Sequence, residues 1–154
     1  MTRVFFDTSV LLGGLIDFGR TVRNAQELMT AVAVGRLRGP LTAWHCCLEV
    51  YAVATRLPEE YRLAPRDALR LLDEEVLKRF DVAELPPASR LSLFQTAVEE
   101  RVAGGRMYDA HIAEIARRAE ARLVVTDNVR HFSSLVRHGV RVVDSATLAS
   151  ELRR

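Results

Sequence analysis

The chain has 154 residues, 49% of them hydrophobic and 27% charged, which suits one soluble globular domain with a real core. Its 22 basic and 20 acidic residues leave a formal charge of +2, too small an excess to establish a nucleic-acid partner. Cys46 and Cys47 are adjacent and rule out a framework of spaced disulfides; Asp7 interrupts any signal-peptide core, and no apolar run reaches the ~18 residues of a membrane span. The expectation is therefore a cytoplasmic protein.

In chain order, Val4-Phe5-Phe6 reads as a buried strand that ends at Asp7. Thr21 to Val34 carries a helical stripe of Val22, Ala25, Met29 and Val32, closed by Gly35. After Gly39-Pro40, Thr42 is the expected N-cap of a helix from Ala43 to about Leu57, stopped by Pro58. Arg66 to Lys78 forms another amphipathic helix through Leu69, Leu72 and Val76, and Phe80 to Leu85 a strand halted by Pro86-Pro87. Ser89 is expected to cap a helix with Leu91, Phe94, Val98 and Val102 on one face, ended by Gly104-Gly105. Met107 to Ala121 is helical through Ile112, Ile115, Ala116 and Ala119. Leu123 to Thr126 is a strand, followed by a short helix toward Arg137, a last strand from Val140 to Val143 and a C-terminal helix opened by Ser145.

Strands alternating with helices imply an α/β fold, a mostly parallel central sheet flanked by helices on both faces. In such sheets the functional crevice lies beyond the carboxyl ends of the strands. Asp7 and Asp127 both follow expected strands, which places two carboxylates on the same edge.

Each acid also has a structural reading. Glu49 lies in AWHCCLEVYAVATRL, a helix apolar nearly all round, where a buried carboxylate needs either a cation or an Arg partner. Asp7, in VFFDTSVLL, suits an N-cap. Asp109, in GGRMYDAHIAEIA, sits in a first helical turn, where acids favour the macrodipole. Asp127, in VVTDNVRHF, also suits a cap. Taken together, four carboxylates converging in one crevice would repel one another unless a hard cation offset them. Mg²⁺ and Mn²⁺ prefer such oxygen ligands. They activate water and neutralise charge on a phosphodiester during in-line hydrolysis.

The ordered pieces VFFDTSVLL, CCLEVYAV, YDAHIAEIA and VVTDNVRHF resemble the PIN-domain family, and within it the VapC-like toxins of bacterial toxin–antitoxin pairs. The resemblance spans essentially the whole chain, residues 1–154, read as one PIN-like domain. It implies a metal-dependent endoribonuclease in which Asp7, Glu49 and Asp109 bind Mg²⁺ or Mn²⁺ and position the attacking water. Ser9 and Thr126 would support the site by hydrogen bonds. Many members carry the fourth acid where this chain has Asn128; Asp127 is one residue early, so it is a ligand, an outer support or a cap. The resemblance further implies a homodimer, silenced by a cognate antitoxin whose peptide occupies the active-site groove.

RNA would be gripped through its phosphates, with Arg20, Arg23, Arg106 and Arg130 the candidates by proximity in sequence to the acids. His45, His111, His131 and His138 lack the paired spacing of a zinc site and read as structural or surface residues, and Trp44 and the tyrosines as core. Two other functions compete. A haloacid-dehalogenase-type phosphatase would need a second Asp where Ser9 stands and a catalytic Lys, whereas Lys78 is the only lysine. A non-catalytic PIN-like module that binds RNA or protein would have no need of all three acids.

Overall fold

The computed structural model describes residues 3–154. Val4–Phe6 (β1) is buried throughout, the pattern of a strand covered on both faces. At Asp7 the backbone is still extended, and the chain then turns into Thr8–Leu15 (α1). A short 3₁₀ turn, Arg20–Val22, leads into Arg23–Ala33 (α2). The crossing of α1 and α2 is close at Gly14, where a Cβ would collide with Met29 and come 3.0 Å from the Ala25 carbonyl, so only glycine fits.

Leu41–Ala43 (β2) runs directly into Trp44–Ala54 (α3). Pro65–Leu71 (α4) continues as a π-helical stretch, Leu72–Leu77, to Asp81–Ala83 (β3). A 3₁₀ turn at Pro87–Ser89 precedes Arg90–Glu99 (α5), and Arg106–Arg118 (α6) leads to Leu123–Val125 (β4). The 3₁₀ segment Val129–His138, Arg141–Val143 (β5) and Ser145–Leu152 (α7) complete the chain.

The five strands are all parallel, in the order β3-β2-β1-β4-β5. The chain therefore builds outward from β1 to β3 and then returns to lay β4 on the other side of β1. That reversal is a topological switch point, and it opens a crevice between the carboxyl ends of β1 and β4. The helices α1, α2 and α7 pack together, as do α5, α6 and the 3₁₀ segment, so the sheet is covered on both faces. Because α6 returns the chain to the start of β4, its own N-terminus lies at the crevice end.

Five expectations are corrected. Thr42 is not a helix cap: it is the fully buried middle of β2, and its hydroxyl donates to the Phe6 carbonyl at 2.8 Å. A three-residue central strand is too short to show a period, so the helix that follows absorbed it in the sequence reading. Ser89 stands at the start of α5 without a capping side-chain bond; Ser92 instead donates to its carbonyl at 2.9 Å. On α5 the core positions are Leu93 and Ala97, while Leu91, Phe94 and Val98 are exposed, Val98 by 77%. The helix α3 is likewise buried on one face only, through Cys46, Cys47, Val50 and Ala54. Leu48 faces out, and so do Trp44 and Tyr51 and, on α6, Tyr108, so none of these three aromatic residues is core.

Candidate active site

The crevice is built around Asp7. Its amide donates to the Val125 carbonyl at 3.1 Å, which joins the ends of β1 and β4. Its carboxylate, in a residue only 4% exposed, accepts at Oδ2 from Thr126 Oγ1 (2.8 Å) and Ser9 Oγ (3.1 Å). The same hydroxyls hold the loop after β4: Ser9 Oγ accepts from the Asp127 amide (3.1 Å) and Thr126 Oγ1 from the Asn128 amide (3.0 Å). Asp7 occupies the N-cap position of α1, where its side chain makes no capping hydrogen bond. Burial pushes its pKa above the ordinary carboxylate value; hydrogen bonds from the Thr126 hydroxyl, the Thr8 backbone and the Ser9 hydroxyl oppose this, and the negative Glu49 reinforces it. A carboxylate so placed is a group that a cation would stabilise.

Glu49 is less enclosed than its sequence suggests. Its side chain is 39% exposed because α3 shows a face to solvent, and no Arg pairs with it among the described residues. Its Oε1 accepts from Thr8 Oγ1 at 2.9 Å and lies 3.7 Å from His45 Nε2. His45 in turn meets His111 of α6, Nδ1 to Nδ1, at 2.7 Å. Asp109, in the first turn of α6 and 29% exposed, has its Oδ2 3.0 Å from His131 Nδ1. Two of the four histidines, His45 and His131, thus stand against the acids, and His111 stands against His45. The only sequence signal was the four-residue interval between His45 and Glu49, which puts both on one helix face.

Asp127 is turned elsewhere. Its Oδ1 accepts from the amide (3.0 Å) and hydroxyl (2.8 Å) of Ser145, so the carboxylate ties the end of β4 to the first residue of α7. Asn128 reaches the site through its amide, on Thr126.

Among the described residues no three His, Cys, Asp or Glu side chains form a ready-made metal cage. Asp7 and Glu49 share one electrostatic neighbourhood, while Asp109 is turned toward His131. Mg²⁺ does not require a closed cage: it is held through one or two carboxylates and keeps several waters. Cys46 lies close enough to feel Asp7, but burial first and that charge second push its thiol up to about 12, which removes it as a thiolate ligand or nucleophile. The remaining donors are hard oxygens, which fit Mg²⁺ or Mn²⁺.

Of the four arginines, Arg106 and Arg130 line a cleft of about 410 Å³ together with His131, the neighbour of Asp109. Arg20 and Arg23 are exposed at the start of α2 and do not line that cleft. None of the four is in an ion pair among the described residues. On the other side of Glu49, Trp44, Leu48, Phe94, Met107 and Tyr108 line an apolar groove of about 660 Å³.

Residues 3–130 match the model of the PIN domain. The chain belongs to the PIN-domain family. Ribonuclease VapC27 of Mycobacterium tuberculosis is 39% identical over 142 residues, covering 91% of this chain and 95% of that protein. The crystal structure of VapC20, a sarcin–ricin loop cleaving toxin of the same organism, superposes with a TM-score of 0.66 at 13% identity, covering 85% of this chain and 94% of that one. VapBC-1 of nontypeable Haemophilus influenzae superposes with a TM-score of 0.63 at 16% identity, over 94% and 99% of the two chains. This PIN domain is of the VapC type, and its Asp7 stands at the switch point of the sheet.

Proposed function

We propose that this chain is a divalent-metal-dependent endoribonuclease, the toxin of a toxin–antitoxin pair, with Asp7, Glu49 and Asp109 as the metal-holding acids. The observation that carries the proposal is the Asp7 carboxylate, buried beside a second acid at the switch point of the sheet. Membership of the VapC type supports the reading, since the 39% identical relative is named a ribonuclease. A bound Mg²⁺ or Mn²⁺ would supply an activated water and offset charge on the phosphodiester.

The protein's own groups have separable tasks. Thr126 and Ser9 orient Asp7 through one oxygen, Oδ2, and so leave the other free of them. Thr8 does the same for Glu49 at Oε1. Glu49 is the base within this site, half-open to solvent and placed to accept a proton from an attacking water. Arg106 and Arg130, free of carboxylate partners among the described residues, hold the phosphates of the RNA on the Asp109 side. Asp127 acts in this scheme as a support of the strand end, through Ser145.

The partners are part of the proposal. The exposed apolar surface of α3 and α5 is the face that a second copy of the chain would cover in a homodimer. A cognate antitoxin is the second partner, one that would cover the crevice; the superposition on VapBC-1 supports a partner of this kind. No helix among the described residues is long and apolar enough to cross a membrane, and the proposed setting is the cytoplasm.

The test is RNA cleavage by the purified protein. Cleavage that requires Mg²⁺ or Mn²⁺ and stops with EDTA is expected. Cleavage undiminished by EDTA contradicts the metal mechanism, and RNA binding without cleavage at saturating Mg²⁺ would favour the non-catalytic PIN-like module. The phosphatase reading has no support in the site, where Ser9 is committed to Asp7.

A further inference from the structure

The contact between His45 and His111 joins the two helices that carry Glu49 and Asp109. At 2.7 Å between Nδ1 atoms, one nitrogen must hold a proton and the other must be bare. The second nitrogen of His45, Nε2, faces the Glu49 carboxylate at 3.7 Å, where a proton is favoured. That leaves His45 Nδ1 as the acceptor and makes His111 Nδ1–H the donor. The order that follows is His111 donating to His45, His45 Nε2 standing 3.7 Å from Glu49 Oε1 as an electrostatic rather than a hydrogen-bonded neighbour, and Thr8 donating to the same oxygen from α1.

The surroundings hold this order in place. The His45 side chain is largely enclosed, and the Tyr108 ring packs edge-on against it with centroids 5.7 Å apart. His45 lies one helical turn before Glu49, and His111 two residues after Asp109, so one contact sets the separation of both acids. Thr8 donates to Oε1 and His45 Nε2 stands 3.7 Å from the same oxygen, while Oε2 of Glu49 has no hydrogen-bond partner among the described residues.

We infer that His45 and His111 are positioning residues: an imidazole strut between α3 and α6 that fixes the Glu49 carboxylate and its distance from Asp109. The inference rests on the reading of these acids as metal ligands. Outer partners that orient a ligating carboxylate typically contribute about 10–100-fold to metal affinity.

The experiment measures Mn²⁺ affinity by calorimetry on the full chain, with thermal melting as the check of folding. His45→Phe and His111→Leu each weaken Mn²⁺ binding by about 10-fold or more, and the double variant is little worse than either alone, because both break one series of contacts. His45→Gln, which retains a donor toward Glu49, and His111→Asn, which retains one toward His45, recover most of the loss. Unchanged Mn²⁺ affinity in folded His45→Phe and His111→Leu overturns the strut while leaving the cation site standing. A wild-type chain that binds no Mn²⁺ sinks the cation site and the strut's role with it. Should the variants not fold, imidazole ¹⁵N spectra of the metal-free wild type decide the matter. The Nε2–H form of His45 together with the Nδ1–H form of His111 supports the strut, and any other pair of forms overturns it.

Discussion

The ends of β1 and β4 lie side by side, and each is followed by an aspartate, yet the two carboxylates have different surroundings. Strand pairing sets Phe6 against Val125, so Asp7 is level with Thr126, and Asp127 is one residue further on. Successive side chains along extended backbone point to opposite sides. Asp7 therefore enters the crevice, buried and oriented by two hydroxyls, while Asp127 is exposed and binds the start of α7. One residue of offset separates a candidate ligand from a brace. Position at a strand end selects candidates, and register decides among them.

Substitutions can break or sharpen this contrast. The largest effect is expected at Asp7: Asp7→Asn lowers RNA cleavage by about 10²–10⁴-fold, on the scale of losing a group that positions the reacting water and its proton acceptor. The same variant carries a stability signature. Because the folded pKa of Asp7 is raised, the native state binds the proton more tightly than the unfolded chain, and metal-free stability falls as pH rises through that pKa. Asp7→Asn removes this slope, so without metal at neutral pH its melting temperature is at least that of the wild type, and added Mg²⁺ no longer raises it. A variant that melts lower and still responds to Mg²⁺ would take Asp7 out of the site.

An intermediate effect is expected at His131, which holds Asp109 at 3.0 Å. His131→Ala lowers cleavage by about 10-fold with the fold intact, a loss that saturating Mn²⁺ partly restores. Cleavage at the wild-type rate would make that contact incidental. The smallest catalytic effect belongs to Asp127. Asp127→Asn leaves cleavage near wild type, whereas Asp127→Ala costs about 1 kcal/mol in urea denaturation because the Ser145 amide and hydroxyl lose their acceptor. If Asp127→Asn matched Asp7→Asn in cleavage, the contrast between the two strand ends would be wrong.

Much of this was legible in the sequence because it depends on local order. Apolar runs closed by Asp7 and by Thr126-Asp127 locate β1, β4 and the crevice between them. What was not legible depends on which face meets what. The α5 stripe of Leu91, Phe94 and Val98 has helical spacing, but so do Leu93 and Ala97, and only the packing of α5 against α6 puts the latter inside. Trp44 and Leu48 on α3 read as core for the same reason, and they line instead the open groove beside Glu49. The histidines were invisible as a group because His45, His111 and His131 come from three distant segments, and only the fold sets His45 by Glu49, His131 by Asp109 and His111 on His45. β2 was hidden by its brevity.

Whether Asp7, Glu49 and Asp109 jointly hold one cation is read directly from anomalous diffraction by crystals soaked in Mn²⁺. A peak is expected against the Asp7 carboxylate, with Glu49 and Asp109 contacting it directly or through water. A peak remote from Asp7, or none at saturating Mn²⁺, would contradict a joint site.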